Sequence, residues 1–142
     1  MGISNAIVIG GGIGGLAAAA ALSRRGMAVT LLEQAPAITE VGAGLQISPN
    51  GIAVLRAMGL DAKLTERAAV RGQAVVLQDY KAGARVARLD LMRGQGAYPY
   101  MFVHRADLVD ILLGAAKRGN VTIELGAEVA EVTPGATPQL RL

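Results

Sequence analysis

The sequence predicts an α/β protein built on a central parallel sheet, and three observations predict it. The stretch AIVIGGGIGGLAAAAAL, Ala6 to Leu22, passes from unbroken β-branched residues into helical periodicity, with glycines at the joint. A second strand-like run, MAVTLLEQ, follows and ends in Glu33. A third, VTIEL, arrives after a long helical stretch. Strands alternating with helices in this way specify parallel sheets covered by helices.

The Ala6–Leu22 run carries no charge and no hydrogen-bonding side chain. It is too short and too rich in Gly and Ala for a membrane span, which needs about twenty apolar residues. No basic region precedes it, as a secretory signal requires. Ile7, Val8 and Ile9 read as a strand covered on both faces. From Ile13, the residues Leu16, Ala17, Ala20 and Ala21 recur at helical spacing, Arg24 and Arg25 occupy the last turn, and Gly26 stops the helix.

Gly10, Gly12 and Gly15 at the joint form G-x-G-x-x-G, with Gly11 and Gly14 as extras. The first glycine permits a tight turn, the second lets a pyrophosphate approach the backbone, and the third lets helix and strand pack closely. Glu33 stands about twenty residues further on, where an acid takes ribose hydroxyls. The alternative is a solvated acid at a strand end. The combination points to a dinucleotide site.

QAPAITEVGAGLQ reads as a long connection. Ser48 is then an N-cap, Pro49 the first helical residue and Gly59 the stop, with Ile52, Leu55 and Met58 on the apolar side. Asp61 is expected to cap one more turn through Leu64. AVVLQ and RVARLDL form a hairpin around DYKAGA, with Ala87, Leu89 and Leu91 on one face. GQGAYPYM is loop. FVHRADLVDILLGAAKRG has helical period, with Leu108, Ile111, Leu112 and Ala115 in one stripe and Gly119 as the stop. VTIEL is expected to be buried, AEVAEV is a short strand, and PQLRL begins another. All of 34–120 separates the second parallel strand from the third, which disfavours an ordinary nicotinamide dehydrogenase. The chain ends on apolar, strand-like QLRL, so it is expected to be part of a longer protein.

Composition narrows the function. The 142 residues make about one domain. Fourteen basic and 11 acidic residues leave a net charge of +3, and one Phe and three Tyr offer little to stack on bases, which argues against nucleic acid. Zero cysteines exclude disulfides, thiolate catalysis and Cys-ligated metals, and a single histidine cannot build a multi-histidine metal site. No metal and no membrane partner is expected, and a cytoplasmic location is the default. His104 is apolar-flanked and expected to be a packed core residue rather than a catalyst. Arg105 begins a helix, where a cation faces the wrong end of the dipole. A nearby pyrophosphate would remove that penalty; Asp107 or Asp110 is the local alternative.

IVIGGGIGGLAAAAALSRRGMAVTLLEQ, EVGAGLQISPNGIAVLRAMGL and HRADLVDIL, in this order, resemble the single-component (class A) flavoprotein aromatic hydroxylases, especially the salicylate and hydroxybenzoate hydroxylase branch. The resemblance covers essentially the whole chain. It implies a Rossmann-like FAD-binding fold of glutathione-reductase type, with the start of an interleaved β-rich substrate layer. Residues 1–72 and 100–142 would form the nucleotide-binding core, and 73–99 a hairpin of the substrate-domain sheet. It also implies that Gly10, Gly12 and Gly15 approach the pyrophosphate, with Ile13 and Gly14 beside them. Glu33 would bind the adenosine ribose, with Gln34 adjacent, and Val129 would meet the adenine through its backbone. The Gly42–Leu45 loop would pass near the isoalloxazine, placing Gly44, Leu45 and Gln46 in the cofactor site. Arg105 matches an arginine near the FAD phosphates and ribityl chain. Some relatives carry a histidine at the position of Gln46, and glutamine cannot replace it as a base.

The implied reaction is NAD(P)H- and O₂-dependent monooxygenation of a small aromatic acid through a C4a-hydroperoxyflavin. The cofactor carries that chemistry, so no side chain here is assigned as an acid–base catalyst. Later family segments, and most of the substrate pocket, would lie beyond Leu142. Two alternatives stay open: another FAD-dependent oxidoreductase of related fold, and a non-catalytic FAD-binding fragment.

Overall fold

The computed structural model describes residues 4–39, 42–67, 69–93, 98–135 and 137–142. Its elements in chain order are β1 (Asn5–Ile9), α1 (Ile13–Arg24), β2 (Ala28–Glu33), β3 (Gly44–Ile47), α2 (Pro49–Ala57), α3 (Asp61–Glu66), β4 (Val70–Arg71), β5 (Ala74–Gln78), β6 (Arg85–Asp90), β7 (Met101–His104), α4 (Arg105–Arg118), β8 (Val121–Leu125), β9 (Glu131–Thr133) and β10 (Gln139–Arg141). They fall into two compact units, Met1–Val41 with Leu108–Leu142, and Gly42–Asp107. Parts of two expected loops, 40–41 and 94–97, lie outside the described residues.

The first unit holds a parallel sheet in the order β1-β2-β8, so the third parallel strand does arrive only after the long insertion. Val8, Leu31 and Ile123 stand side by side on one face. Helix α1 covers that face, because a Cβ on Gly15 would lie 3.5 Å from Val8 Cγ1. Leu16, Leu31 and Leu112 are essentially inaccessible to water. The opposite face departs from expectation: Ile7 and Ile9 are 57% and 51% exposed. An unbroken β-branched run has the same appearance whether one face is covered or two, so the sequence could not separate the cases. β8 is likewise only half-buried, with Leu125 exposed, because it is an outer strand of three. β9 is shorter than AEVAEV and pairs antiparallel with β10, Val132 opposite Leu140.

Gly26, at a φ of 85°, ends α1 in the left-handed region that glycine adopts without strain. Gly119 ends α4 for a different reason. A Cβ there would collide with Ser23 Oγ, which also accepts a hydrogen bond from Asn120 N–H at 2.6 Å. Ala116, rather than Ala115, completes the buried stripe of α4.

In the second unit β3 pairs antiparallel with β7, and β7 with β4. Two expectations fail here. Gly44–Gln46, expected in the connection, belong to strand β3, and Phe102–His104, expected to begin the helix, belong to strand β7. Each needs the other as partner, across a separation in sequence that local periodicity does not report. One face of this pair, carrying Ile47, Met101 and Val103, is buried, as are Ile52, Leu55 and Met58 of the helical segment. Ser48 occupies the N-cap position without making a side-chain capping bond; its hydroxyl donates to Asn50 Oδ1 instead. Asp61 lies inside the first turn of α3, Leu60 being the cap residue, and its carboxylate accepts from Arg56 Nε at 2.8 Å. The hairpin β5–β6 forms as expected, its turn held by Ala82 N–H donating to Asp79 Oδ2 at 2.7 Å. No described helix is long and apolar enough to cross a membrane.

Burial predicts a contrast within the first sheet. Leu31→Ala should lower unfolding free energy by about 2–5 kcal/mol in urea titration, whereas Ile7→Ala on the exposed face should cost less than about 1 kcal/mol.

Candidate functional site

The glycine turn between β1 and α1 is built from main chain. Gly10 has a φ of 97°, and its N–H donates to Leu32 O at 2.7 Å, which fastens the turn to β2. A Cβ on Gly15 would collide with the carbonyl oxygen of Gly10 and lie 3.0 Å from its carbon. The helix therefore approaches the strand as closely as backbone allows, and only glycine fits. Gly12 is the N-cap of α1 and supplies no side-chain cap; no acid stands in the first turn. The opening N–H groups and the positive end of the helix are thus neutralised by no capping side chain of α1. Among the described residues, a Cβ on Gly12 or Gly14 would meet nothing within 4 Å apart from its chain neighbours and its own helix backbone. Nothing in the chain itself requires glycine at those two positions, and the space they leave fits a group approaching the main chain, as a diphosphate does. Ile13 is half-buried beside them.

Glu33 ends β2 next to this turn. Its Oε2 accepts from Gly11 N–H at 2.5 Å and its Oε1 from Ala35 N–H at 2.8 Å. These bonds, Ala35 first and Gly11 second, hold the carboxyl below its ordinary value of 4.5 against the opposing effect of desolvation. The main-chain oxygen of Glu33 accepts from Ala127 N–H at 2.9 Å, and that of Ala35 from Gly126 N–H at 3.1 Å. These ties bring the loop carrying half-buried Val129 to the end of β2. Gln34 points to solvent. The six first-unit neighbours Gly10, Gly12, Ile13, Gly14, Gly15 and Glu33 are therefore drawn together, with Gln34 and Val129 flanking them.

The remaining expected site residues belong to the second unit. Arg105 is the first residue of α4, and its N–H donates to Ala43 O at 3.0 Å, which draws the Gly44–Gln46 segment to the helix start. The Nε of Arg105 is buried. Asp107, one of the two acids expected near it with Asp110, faces Arg67 at 3.4 Å. Gly44 and Gln46 lie on the accessible face of β3, while Leu45 is half-buried. Gln46 Oε1 accepts from the Tyr100 hydroxyl at 3.1 Å. His104 is not a core residue. It is exposed at the end of β7, where a Cβ on Gly42 would strike its ring. Apolar neighbours in sequence misled because alternate strand residues face opposite ways.

Sequence reasoning treated Gly11 as an extra and missed Tyr100. Gly11 is buried, and a Cβ there would lie 3.0 Å from Ile38 Cδ1 and 3.1 Å from Glu33 Oε2. The available signal was the third glycine in succession, one more than the motif needs.

Comparison with known proteins agrees with this geometry. The pattern of the FAD binding domain family matches residues 4–140. The chain belongs to that family. A 3-hydroxybenzoate 6-hydroxylase of Polaromonas naphthalenivorans (strain CJ2) is 43% identical over 119 residues, which are 81% of this chain and 30% of that protein. The 3-amino-4-hydroxybenzoate 2-monooxygenase PtnB3 of Streptomyces platensis is 40% identical over 131 residues, 89% of this chain and 33% of that one. In structure the chain superposes on the tetrameric form of 2-methyl-3-hydroxypyridine-5-carboxylic acid oxygenase with a TM-score of 0.83 at 25% identity, covering 99% of this chain and 36% of that one. The chain thus spans about a third of the length of each relative. The resemblance to FAD-dependent aromatic hydroxylases and the truncated FAD-binding fold are both borne out, and FAD is the cofactor.

Two predictions follow from the turn and its acid. Gly15→Ala should cost about 1–3 kcal/mol of stability through the forced separation of α1 from β1, read by thermal melting. The lowered pKa of Glu33 means that its contribution is complete above its ordinary value of 4.5 and is lost as pH falls through the lower folded value. Glu33→Gln should therefore be less stable than wild type at neutral pH, with the gap closing on acidification. A gap that stays constant with pH would show that ionisation of Glu33 contributes nothing.

Proposed function

We propose that this chain is the FAD-binding portion of an NAD(P)H-dependent monooxygenase that hydroxylates a small aromatic acid with O₂. The observation that carries the reading is the bare glycine turn, whose main chain is open at the positive end of α1. The aromatic-acid substrate is supported by relatives whose names specify hydroxybenzoates and aminohydroxybenzoates. FAD, when bound, would supply the redox chemistry between NAD(P)H and O₂.

The chain's own residues bind and orient. Gly10, Gly12, Ile13, Gly14 and Gly15 receive the pyrophosphate. Glu33 accepts from the adenosine ribose, Gln34 lies beside it, and the Val129 backbone meets the adenine. Gly44, Leu45 and Gln46 serve the isoalloxazine, and Arg105 supplies positive charge to the phosphates and ribityl chain. Gln46 binds rather than catalyses, because an amide takes no proton at neutral pH. Residues 1–72 and 100–142 form the nucleotide-binding core. The hairpin 73–99 belongs to a substrate-domain sheet, a role favoured by its exposed Leu77, Val86 and Leu89. The absence of cysteine is compatible with work in the reducing cytoplasm.

The purified chain reconstituted with FAD should be yellow and release FAD on denaturation. With NADH or NADPH and a hydroxybenzoate it should show no substrate-dependent O₂ uptake. Protein that stays colourless would count against the cofactor reading, and O₂ uptake would count against the restriction to a binding portion. Arg105→Ala should weaken FAD retention by about 1–3 kcal/mol, the worth of a charge-assisted hydrogen bond. Unchanged flavin content after extensive dialysis would assign Arg105 to packing alone.

A further inference from the structure

We propose that Glu33 is a positioning residue for the phosphate turn. Its carboxylate accepts from the main-chain N–H groups of Gly11 and Ala35, and so holds the turn in its receiving shape before a cofactor arrives. The proposal rests on the reading of this turn as the pyrophosphate site, and adds to Glu33 a task separate from ribose contact.

Gly10, Gly11 and Gly12 follow one another without side chains, so nothing of their own restrains them. Glycine loses more conformational freedom on ordering than any other residue. Two successive N–H groups are nevertheless pinned to the end of β2: that of Gly10 to Leu32 O at 2.7 Å, and that of Gly11 to Glu33 Oε2 at 2.5 Å. The first bond needs only backbone and tolerates any residue at position 32. The second needs a side chain that reaches back from position 33 and accepts.

Packing shows that the fit is close. Gly11 is buried, and a Cβ on it would lie 3.1 Å from Glu33 Oε2 and 3.2 Å from Glu33 Cβ. Glycine at 11 and glutamate at 33 therefore form a matched pair, which gives the supernumerary glycine a reason. The other carboxylate oxygen accepts from Ala35, and the Glu33 carbonyl accepts from Ala127. One residue thus joins the glycine turn, the exit of β2 and the loop leading to Val129. Each carboxylate oxygen has two lone pairs and spends one on an N–H. A ribose hydroxyl can donate to the remaining pair without opening the clasp, so the positioning bonds persist when ligand is bound.

The chemistry separates this role from a ribose contact. Glu33→Gln keeps the length of the side chain but puts an NH₂ group against one main-chain N–H. Glu33→Asp keeps the charge but is one methylene too short to reach both. In the ligand-free 142-residue chain, hydrogen exchange at the Gly11 amide should accelerate about tenfold to a hundredfold in both variants, the loss expected for one charge-assisted hydrogen bond. Gly11→Ala, which displaces the carboxylate from the other side, should weaken binding in the same way. Binding of inorganic pyrophosphate, which has no ribose, should weaken in all three variants; FAD should weaken by a similar factor in Gly11→Ala and by a larger one in the two Glu33 variants, which also lose the ribose contact. Unchanged Gly11 exchange in Glu33→Gln and Glu33→Asp would overturn the proposal. So would a loss confined to FAD, which would leave Glu33 as a ribose contact only. A wild-type chain that binds neither probe would overturn the cofactor reading instead, and Gly11 exchange would then decide the clasp by itself.

Discussion

The first unit depends on how near a helix can come to the strand that feeds it. Gly15 lies against the carbonyl of Gly10, at a separation that leaves no room for a Cβ. That approach sets the tilt of α1 on the sheet and buries Leu16 against it. It also leaves the three-residue turn no slack, so its N–H groups stay at the helix end rather than folding into a looser loop. The shape of the turn and the packing of the core therefore have a common cause, and a change at Gly15 disturbs both.

Electrostatics then works on a backbone already in place. The start of α1 carries partial positive charge, and the chain provides no acid within the first turn to cancel it. The nearest acid, Glu33, comes from β2 and is held by Gly11 and Ala35, one residue outside the cap. This arrangement favours the ionised carboxylate. Arg105 presents the reverse case, a cation at a helix start, where the dipole is unfavourable.

Much of the first unit was legible because its signals are local. A β-branched run, a glycine joint, a helical stripe and an acid at the next strand end lie within residues 6–33. The second unit was less legible. β3 and β7 are strands only because they pair with each other, and neither GLQI nor MFVH announces this by periodicity. The exposure of His104 and the bond from Tyr100 to Gln46 both follow from that pairing. Ser48 does stand at the N-cap as its residue type suggests, but its hydroxyl donates to Asn50, two residues on, instead of capping the helix.

The sequence alone determined the strand–turn–helix unit, the glycines at its joint, the acid at position 33 and the late arrival of the third parallel strand. These are set by steric and conformational rules that act over a few residues, or by spacing along the chain. Tertiary structure decided which face of β1 is covered, which residues pair across the insertion, and that Gly11 and Glu33 hold one another. Those outcomes depend on atoms far apart in sequence meeting within a few ångströms. Only the folded chain specifies such meetings, because close packing and hydrogen bonding act through space rather than along the backbone.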